Sequence, residues 1–136
     1  MAHPSTALLV GIPLFSDVDY ETLEKLSSDF IQRDFPAGTE IAKEGQTGLN
    51  FFVVESGEAT VSVGGKEVGR LGPGDSFGEV ALVDKSARTA TITATSDMLT
   101  FALPVWSFRS FVEVRPDVAW RLLEILAERL RSSQAR

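Results

Sequence analysis

The chain has no cysteine and a single histidine, His3. Lacking cysteine, it has no disulfides, thiolate nucleophiles or iron–sulfur ligation. With one histidine, at the extreme N-terminus, it has neither a Ser-His-Asp triad nor a His-rich metal site. No other nucleophile–base pair stands out. The expectation is a protein that is not an enzyme and needs no metal or cofactor. A basic block is also missing: the net charge is −6, with acidic and basic residues interspersed. Nucleic-acid binding depends on clustered Lys and Arg that release counterions, so this chain by itself is expected to contact no DNA or RNA. The local basic excess at the end, Arg129, Arg131 and Arg136, reads as cations near a helix C-terminus. Long apolar runs are absent too. No Lys or Arg precedes Lys25, and the apolar stretch Ala7 to Phe15 is short and interrupted by Gly11 and Pro13. A secretory signal and a membrane span are therefore not expected, and the chain is placed in the cytoplasm.

What is present is enough for one domain, residues 1–136, with 43% apolar residues and a core that needs no staple. Residues 5–29 read as N-terminal helices. Thr6 to Gly11 is a short one, and Asp19 to Ser28 a second with Leu23 and Leu26 on one face, N-capped by Ser16 or Asp17. Met1 to Pro4 reads as frayed. From 30 to 103 the pattern changes to short alternating runs: Phe30–Phe35, Thr39–Lys43, Asn50–Glu55, Ala59–Val63, Lys66–Leu71, Thr89–Thr95 and Met98–Leu103. Turn residues separate them, Gly64-Gly65 being the clearest two-residue hairpin. The fold class is mainly β with flanking α, an antiparallel β-roll of the jelly-roll type. Residues 104–136 return to helix. Pro104 opens one helix, Pro116 breaks it, and Asp117 starts a longer one carrying Val118, Leu122, Leu123, Ile125, Leu126 and Leu130. Its apolar stripe is wide enough to cover the roll on one side and meet a second copy on another.

The regular strand spacing breaks at Gly72 to Arg88, and a long excursion inside a compact domain is usually functional. Phe77 to Thr91 reads FGEVALVDKSARTAT, setting a carboxylate, Glu79, nine residues before a guanidinium, Arg88, among small residues Gly78, Ala81, Ala87 and Ala90. Arginine supplies a bidentate fork for a phosphate. Backbone N–H groups near Gly78 and Ala81 supply a second set of donors that no bulky side chain blocks. A carboxylate beside a phosphate is unfavourable unless it accepts from neutral donors, such as a ribose hydroxyl, while balancing Arg88. A sugar phosphate fits both demands. Glu79 to Leu82 reads as a single helical turn, Asp84-Lys85-Ser86 as the exposed tip, and Gly72, Gly74 and Gly78 as positions of unusual backbone geometry.

These residues resemble the phosphate-binding cassette of the cyclic-nucleotide-binding domain, shared by bacterial catabolite-activator-type regulators, cyclic-nucleotide-dependent kinases and gated channels. The likeness lies in F-G-E-V-A-L and R-T-A-T, within a cassette spanning 77–91. It implies that Glu79 holds the ribose 2′-hydroxyl and Arg88 the exocyclic phosphate oxygens. It also implies that Gly78, Ala81 and Thr89 complete the cradle, with Phe77 and Leu82 packing behind; Val80 and Ala90 belong to the same stretch. For Thr89 the role of a residue simply beginning a strand stays open. The final helix resembles the dimer seam of the bacterial regulators, which implies a homodimer and places Ser133 and Gln134 where the purine would be reached. Trp120 reads as a core or interface anchor, with a base-capping role as the alternative. The resemblance implies a regulatory sensor of cyclic AMP (cAMP), with cyclic GMP (cGMP) competing because Thr89 resembles the Thr or Ser of cGMP-responsive proteins. It implies that the ligand repositions the C-terminal helices, in what reads as the sensor part of a transcription regulator. The other reading is a dimerisation scaffold with a vestigial pocket.

Overall fold

The computed structural model describes residues 3–84 and 88–134, with Ala81, Ser133 and Gln134 described by their backbone alone. In chain order the elements are α1 (Thr6–Val10), a 3₁₀ turn (Pro13–Phe15), α2 (Tyr20–Ser27), β1 (Ile31–Phe35), β2 (Glu40–Ala42), β3 (Asn50–Ser56), β4 (Ala59–Val63), β5 (Lys66–Leu71), β6 (Ser76–Phe77), a second 3₁₀ turn (Glu79–Leu82), β7 (Thr91–Ala94), β8 (Met98–Pro104), α3 (Val105–Val114) and α4 (Pro116–Gln134). The strands form two four-stranded sheets, ordered β1-β8-β3-β6 and β2-β7-β4-β5. Every pair is antiparallel. This is the expected β-roll with flanking helices.

The two faces of β3 and β8 explain the layering. Successive strand side chains point to opposite sides. Phe51, Val53, Phe101 and Leu103 pack with the helices around Phe15, Leu23, Phe30, Phe108 and Leu122. Their alternates Phe52, Val54, Met98 and Ala102 face the interior of the roll. The run Phe51 to Val54 is buried throughout because this sheet is covered on both sides. The second sheet turns mostly small residues inward, Ala42, Ala59 and Ala94 with Ile92. That choice leaves free space between the sheets at the end where the cassette sits.

The helical layer is tied to the root of α4. Arg115, at the α3–α4 junction, grips Asp117 with Nε to Oδ1 and a second nitrogen to Oδ2, both at 3.0 Å, and reaches Asp19 at 3.0 Å. Arg121 Nε donates to the Pro13 carbonyl at 3.1 Å. Val118 and Leu122 are buried, whereas every residue from Ala127 to Ser132 is exposed. The root of α4 is clamped and its far end is lightly held.

Asp19, not Ser16 or Asp17, is the N-cap of α2: its carboxylate accepts from the Thr22 N–H at 3.0 Å. The Thr22 hydroxyl and N–H, with Arg115 adding to them, hold the Asp19 carboxyl down at about 2. A carboxyl lowered on folding stabilises the fold above its unfolded value of about 3.9 and loses that contribution as pH falls toward 2. Thermal midpoints should therefore be flat from about pH 7 to 5 and fall below about pH 4, less steeply in Asp19→Asn. An identical acid profile in that variant would contradict the cap assignment.

Four other expectations are corrected. Residues 3 and 4 are not frayed: Pro4 is buried, its carbonyl accepts from the Ser27 hydroxyl at 2.5 Å, and His3 Nδ1 lies 3.1 Å from the Phe30 carbonyl. Ser76–Phe77 is a strand, pairing with Phe52 and Val53, and it delivers the chain into the cassette. Pro104 closes β8 in extended geometry and caps α3 from outside. Gly74 and Gly78 have left-handed backbones but Gly72 does not. The Gly64-Gly65 hairpin stands, both residues having positive φ as a primed turn requires. Met1, Ala2, Lys85, Ser86, Ala87, Ala135 and Arg136 lie outside the described residues, so the expected tip is described only at Asp84.

Candidate functional site

The open end of the roll holds a cavity of about 190 Å³. Its apolar wall comes from Ala42, Val61, Leu71 and Ile92 of the second sheet. The cassette lines the other side with Phe77, Gly78, Glu79 and Val80, then Arg88, Thr89 and Ala90. Residues that the sequence placed together are therefore together in space. Phe77 is buried and stacked on Phe52, with ring centroids 4.9 Å apart, so it is a packing residue that fixes the start of the cassette. Leu82 is buried in the helical core at the turn's other end. Between these two anchors the turn Glu79–Leu82 is held over the cavity, entered through Gly78 at φ 91°. The first N–H groups of such a turn have no acceptor within it. Ala81 contributes its backbone to that turn.

Arg88 is held from three sides. Its backbone N–H donates to the Gln46 carbonyl at 2.7 Å and its carbonyl accepts from the Gly45 N–H at 2.9 Å. One terminal nitrogen of its guanidinium donates to the Asn50 carbonyl at 3.1 Å. A Cβ at Gly48 would overlap Nε, Cζ and a terminal nitrogen of the guanidinium, and one at Gly78 would lie 2.7 Å from the other nitrogen. The guanidinium thus lies in a slot whose walls are two glycines. Burial pushes the Arg88 pKa down and the charge of Glu79, which lines the same cavity, opposes that. Arginine's high intrinsic value keeps it cationic at neutral pH.

Glu79 is only 5% exposed, and its carboxylate forms an ion pair with Arg129 of α4. Arg129 lines the same cavity. By sequence Arg129 reads as a cation serving the helix C-terminus; the fold instead brings it to the cassette. Gly48 and Asn50 were likewise missed. A periodic reading could have found Arg129, since it lies seven residues after Leu122 on the side of α4 that faces the roll. No local signal marks Gly48.

Thr89 lines the cavity yet is exposed, so its hydroxyl is available without being fixed. Ser133 and Gln134 fall in the last turn of α4, and their side chains lie outside the described residues. Trp120 is not a core residue: it is 70% exposed and does not line the cavity. Among the described residues no cluster of acidic or histidine side chains could hold a metal ion, and no helix is long and apolar enough to cross a membrane.

Residues 32–115 match the family model described as the cyclic nucleotide-binding domain. The chain is 34% identical over 128 residues to the cyclic AMP receptor protein of Thermus thermophilus, across 90% of this chain and 59% of that protein. It is 37% identical over 86 residues to a cGMP-dependent protein kinase of Toxoplasma gondii, across 63% of this chain and 9% of the kinase. Among solved structures, that of the Thermus thermophilus catabolite activator protein matches with a TM-score of 0.82 at 33% identity, over 90% of this chain and 60% of that one. The chain spans about three fifths of the curated bacterial regulators it matches. The matched residues take in the cassette turn, Arg88 and its glycine slot, and the chain belongs to the cyclic nucleotide-binding domain family.

Proposed function

We propose that the cavity takes cyclic AMP in preference to cyclic GMP, and that the chain is a cytoplasmic sensor rather than an enzyme. The observation that carries this reading is Arg88, slotted between Gly48 and Gly78 and sharing the cavity with a buried carboxylate that is already neutralised by Arg129. Arg88, Glu79 and Arg129 together carry one net positive charge. A cyclic phosphate diester is a monoanion and cancels it. A linear monophosphate, close to a dianion at neutral pH, would overfill it. The ribose hydroxyl is the neutral donor that Glu79 accepts. The apolar wall of Val61, Leu71 and Ile92 suits a purine face. The name of the Thermus relative supports cyclic AMP, and that of the Toxoplasma kinase makes cyclic GMP the competitor.

The free space supports a coupled motion. With Arg129 reaching across to Glu79, about 190 Å³ is open, below the roughly 300–1,000 Å³ of ligand pockets. A nucleotide is admitted when Arg129, and the lightly held end of α4 with it, shifts aside but stays at the cavity wall, so the site keeps its single positive charge. Ligand and α4 then bias each other through one carboxylate, and the coupling is reciprocal.

A homodimer through α4 is part of the same proposal. Leu123, Ala127 and Leu130 are exposed, at steps of four and then three residues along one side of α4. That is the spacing of a two-helix seam. A scaffold without a ligand would share this dimer, and the slot built around Arg88 argues against it.

Hydrogen exchange on the full chain tests the reading. Saturating cyclic AMP should slow amides in 77–91 and alter those in 125–134. In Arg129→Ala the cassette should still respond and the end of α4 should not. Unchanged exchange across 104–131 in the unmodified protein would refute the coupling, and an unchanged cassette would refute the site.

A further inference from the structure

A second concavity lies away from the cassette cavity, a groove of about 450 Å³ between the end of the cassette turn, α3 and α4. We propose that in the α4-paired dimer inferred above this groove receives Trp120 of the second copy, so that each chain braces the other's cassette. This rests on the dimer reading and adds a contact that the helix seam alone does not require.

The groove carries what an indole needs. Its floor is apolar, with Phe108, Val112 and Leu122. Glu113 and Arg109 stand on its rim, exposed, and among the described residues neither forms an ion pair. A buried indole places its N–H on an acceptor, which the Glu113 carboxylate supplies. A guanidinium over the ring face adds a cation–π contact, which Arg109 supplies. Trp120 is a large aromatic left 70% exposed on a helix whose neighbouring residues Ala119 and Leu123 form one wall of that groove. Knob and hole therefore sit side by side on one surface. That is the condition for a two-fold contact in which each copy gives and receives the same residue. Burying the indole removes roughly 150–250 Å² from water.

The far wall gives the contact its consequence. It is formed by Leu82 and Val83, the last residue of the cassette turn and its cap. Val83 is 50% exposed, a surface valine at the end of the turn that carries Glu79. A tryptophan seated against it fixes the turn from outside while Phe77 fixes it from within.

Because the chain has no cysteine, the contact can be trapped. Val83→Cys, carrying a size tag, is mixed at high protein concentration with untagged Trp120→Cys and a short bis-maleimide, whose length replaces the missing indole; both substitutions are at exposed sites outside the core. The expected product is a bis-maleimide-linked heterodimer of intermediate size. Trp120→Ala should also weaken the dimer on the order of thirty-fold by sedimentation, as for a central aromatic anchor. In Trp106→Phe, where Trp120 is the remaining tryptophan, its emission should shift to the blue as the dimer forms, and Val83→Lys should reverse the shift. A dimer that yields only Trp120→Cys homodimers, or no cross-link, overturns the groove contact while leaving the dimer reading standing. A chain that sediments as a monomer at all concentrations overturns both.

Discussion

Arg88→Ala should lower cyclic AMP affinity by roughly 100- to 1,000-fold, measured by competition against a fluorescent cyclic nucleotide. The guanidinium supplies a charge-assisted, two-pronged contact in a half-buried slot, worth about 3–4 kcal/mol at 1.4 kcal/mol per tenfold. Its removal leaves the phosphate facing the buried Glu79 carboxylate, whose remaining neutraliser, Arg129, is 57% exposed and well screened. The fold should survive, because the interaction lost is chiefly the hydrogen bond to the Asn50 carbonyl, worth about 1 kcal/mol. Arg88→Lys should fall between the two, restoring charge but not the fork. Affinity within threefold of the unmodified protein in the alanine variant would remove Arg88 from the site.

Gly48→Ala should damage binding about a tenth as much as Arg88→Ala while leaving stability almost untouched. The added methyl overlaps the Arg88 guanidinium, which is the far end of a flexible side chain and can swing away. Gly48 does not require a left-handed backbone. The chain therefore tolerates the substitution and the site does not. A loss of ten- to a hundredfold in affinity with a thermal midpoint unchanged within about 2 °C is expected. Gly78→Ala provides the contrast: its Cβ would meet the Asn50 carbonyl at 2.8 Å and it sits at φ 91°, so both stability and binding should fall. A left-handed backbone costs a residue with a side chain about 1–2 kcal/mol. A Gly48→Ala protein that binds normally would mean that the slot does not set the position of Arg88.

The cassette was legible because its chemistry is local. Glu79 and Arg88 are nine residues apart, and the glycines and short alternating runs around them mark strands and turns by period alone. What was illegible depends on contacts between distant residues. Asn50 lies 38 residues before the guanidinium it accepts from, and Gly48 carries no sign of the side chain that will fill its missing Cβ. Arg129 satisfied a sufficient local explanation, the helix dipole, so nothing in the sequence demanded a partner as far away as Glu79. Asp17 and Asp19 are equally good caps by residue type; Asp19 takes the role, its carboxylate accepting from the Thr22 N–H and hydroxyl, and Arg115, far along the chain, also reaches it. The two-residue strand Ser76–Phe77 is too short to show a period, and only its pairing with β3 defines it. Trp120 illustrates the limit in the other direction. Its type suggests burial, yet it lies two residues from both Val118 and Leu122, roughly 200° around α4 from the face they bury, and so stands outside the core.

Calorimetric titration of the folded, ligand-free chain with cyclic AMP, then cyclic GMP, then linear 5′-AMP tests the site most directly. Saturable binding at one site per chain is expected, with cyclic AMP tighter than cyclic GMP and the linear monophosphate far weaker than either. Equal affinities for the two cyclic nucleotides would remove the purine preference while leaving the site intact. No heat with either cyclic nucleotide, in protein shown to be folded, would mean that the cavity beside Arg88 is not a cyclic-nucleotide site.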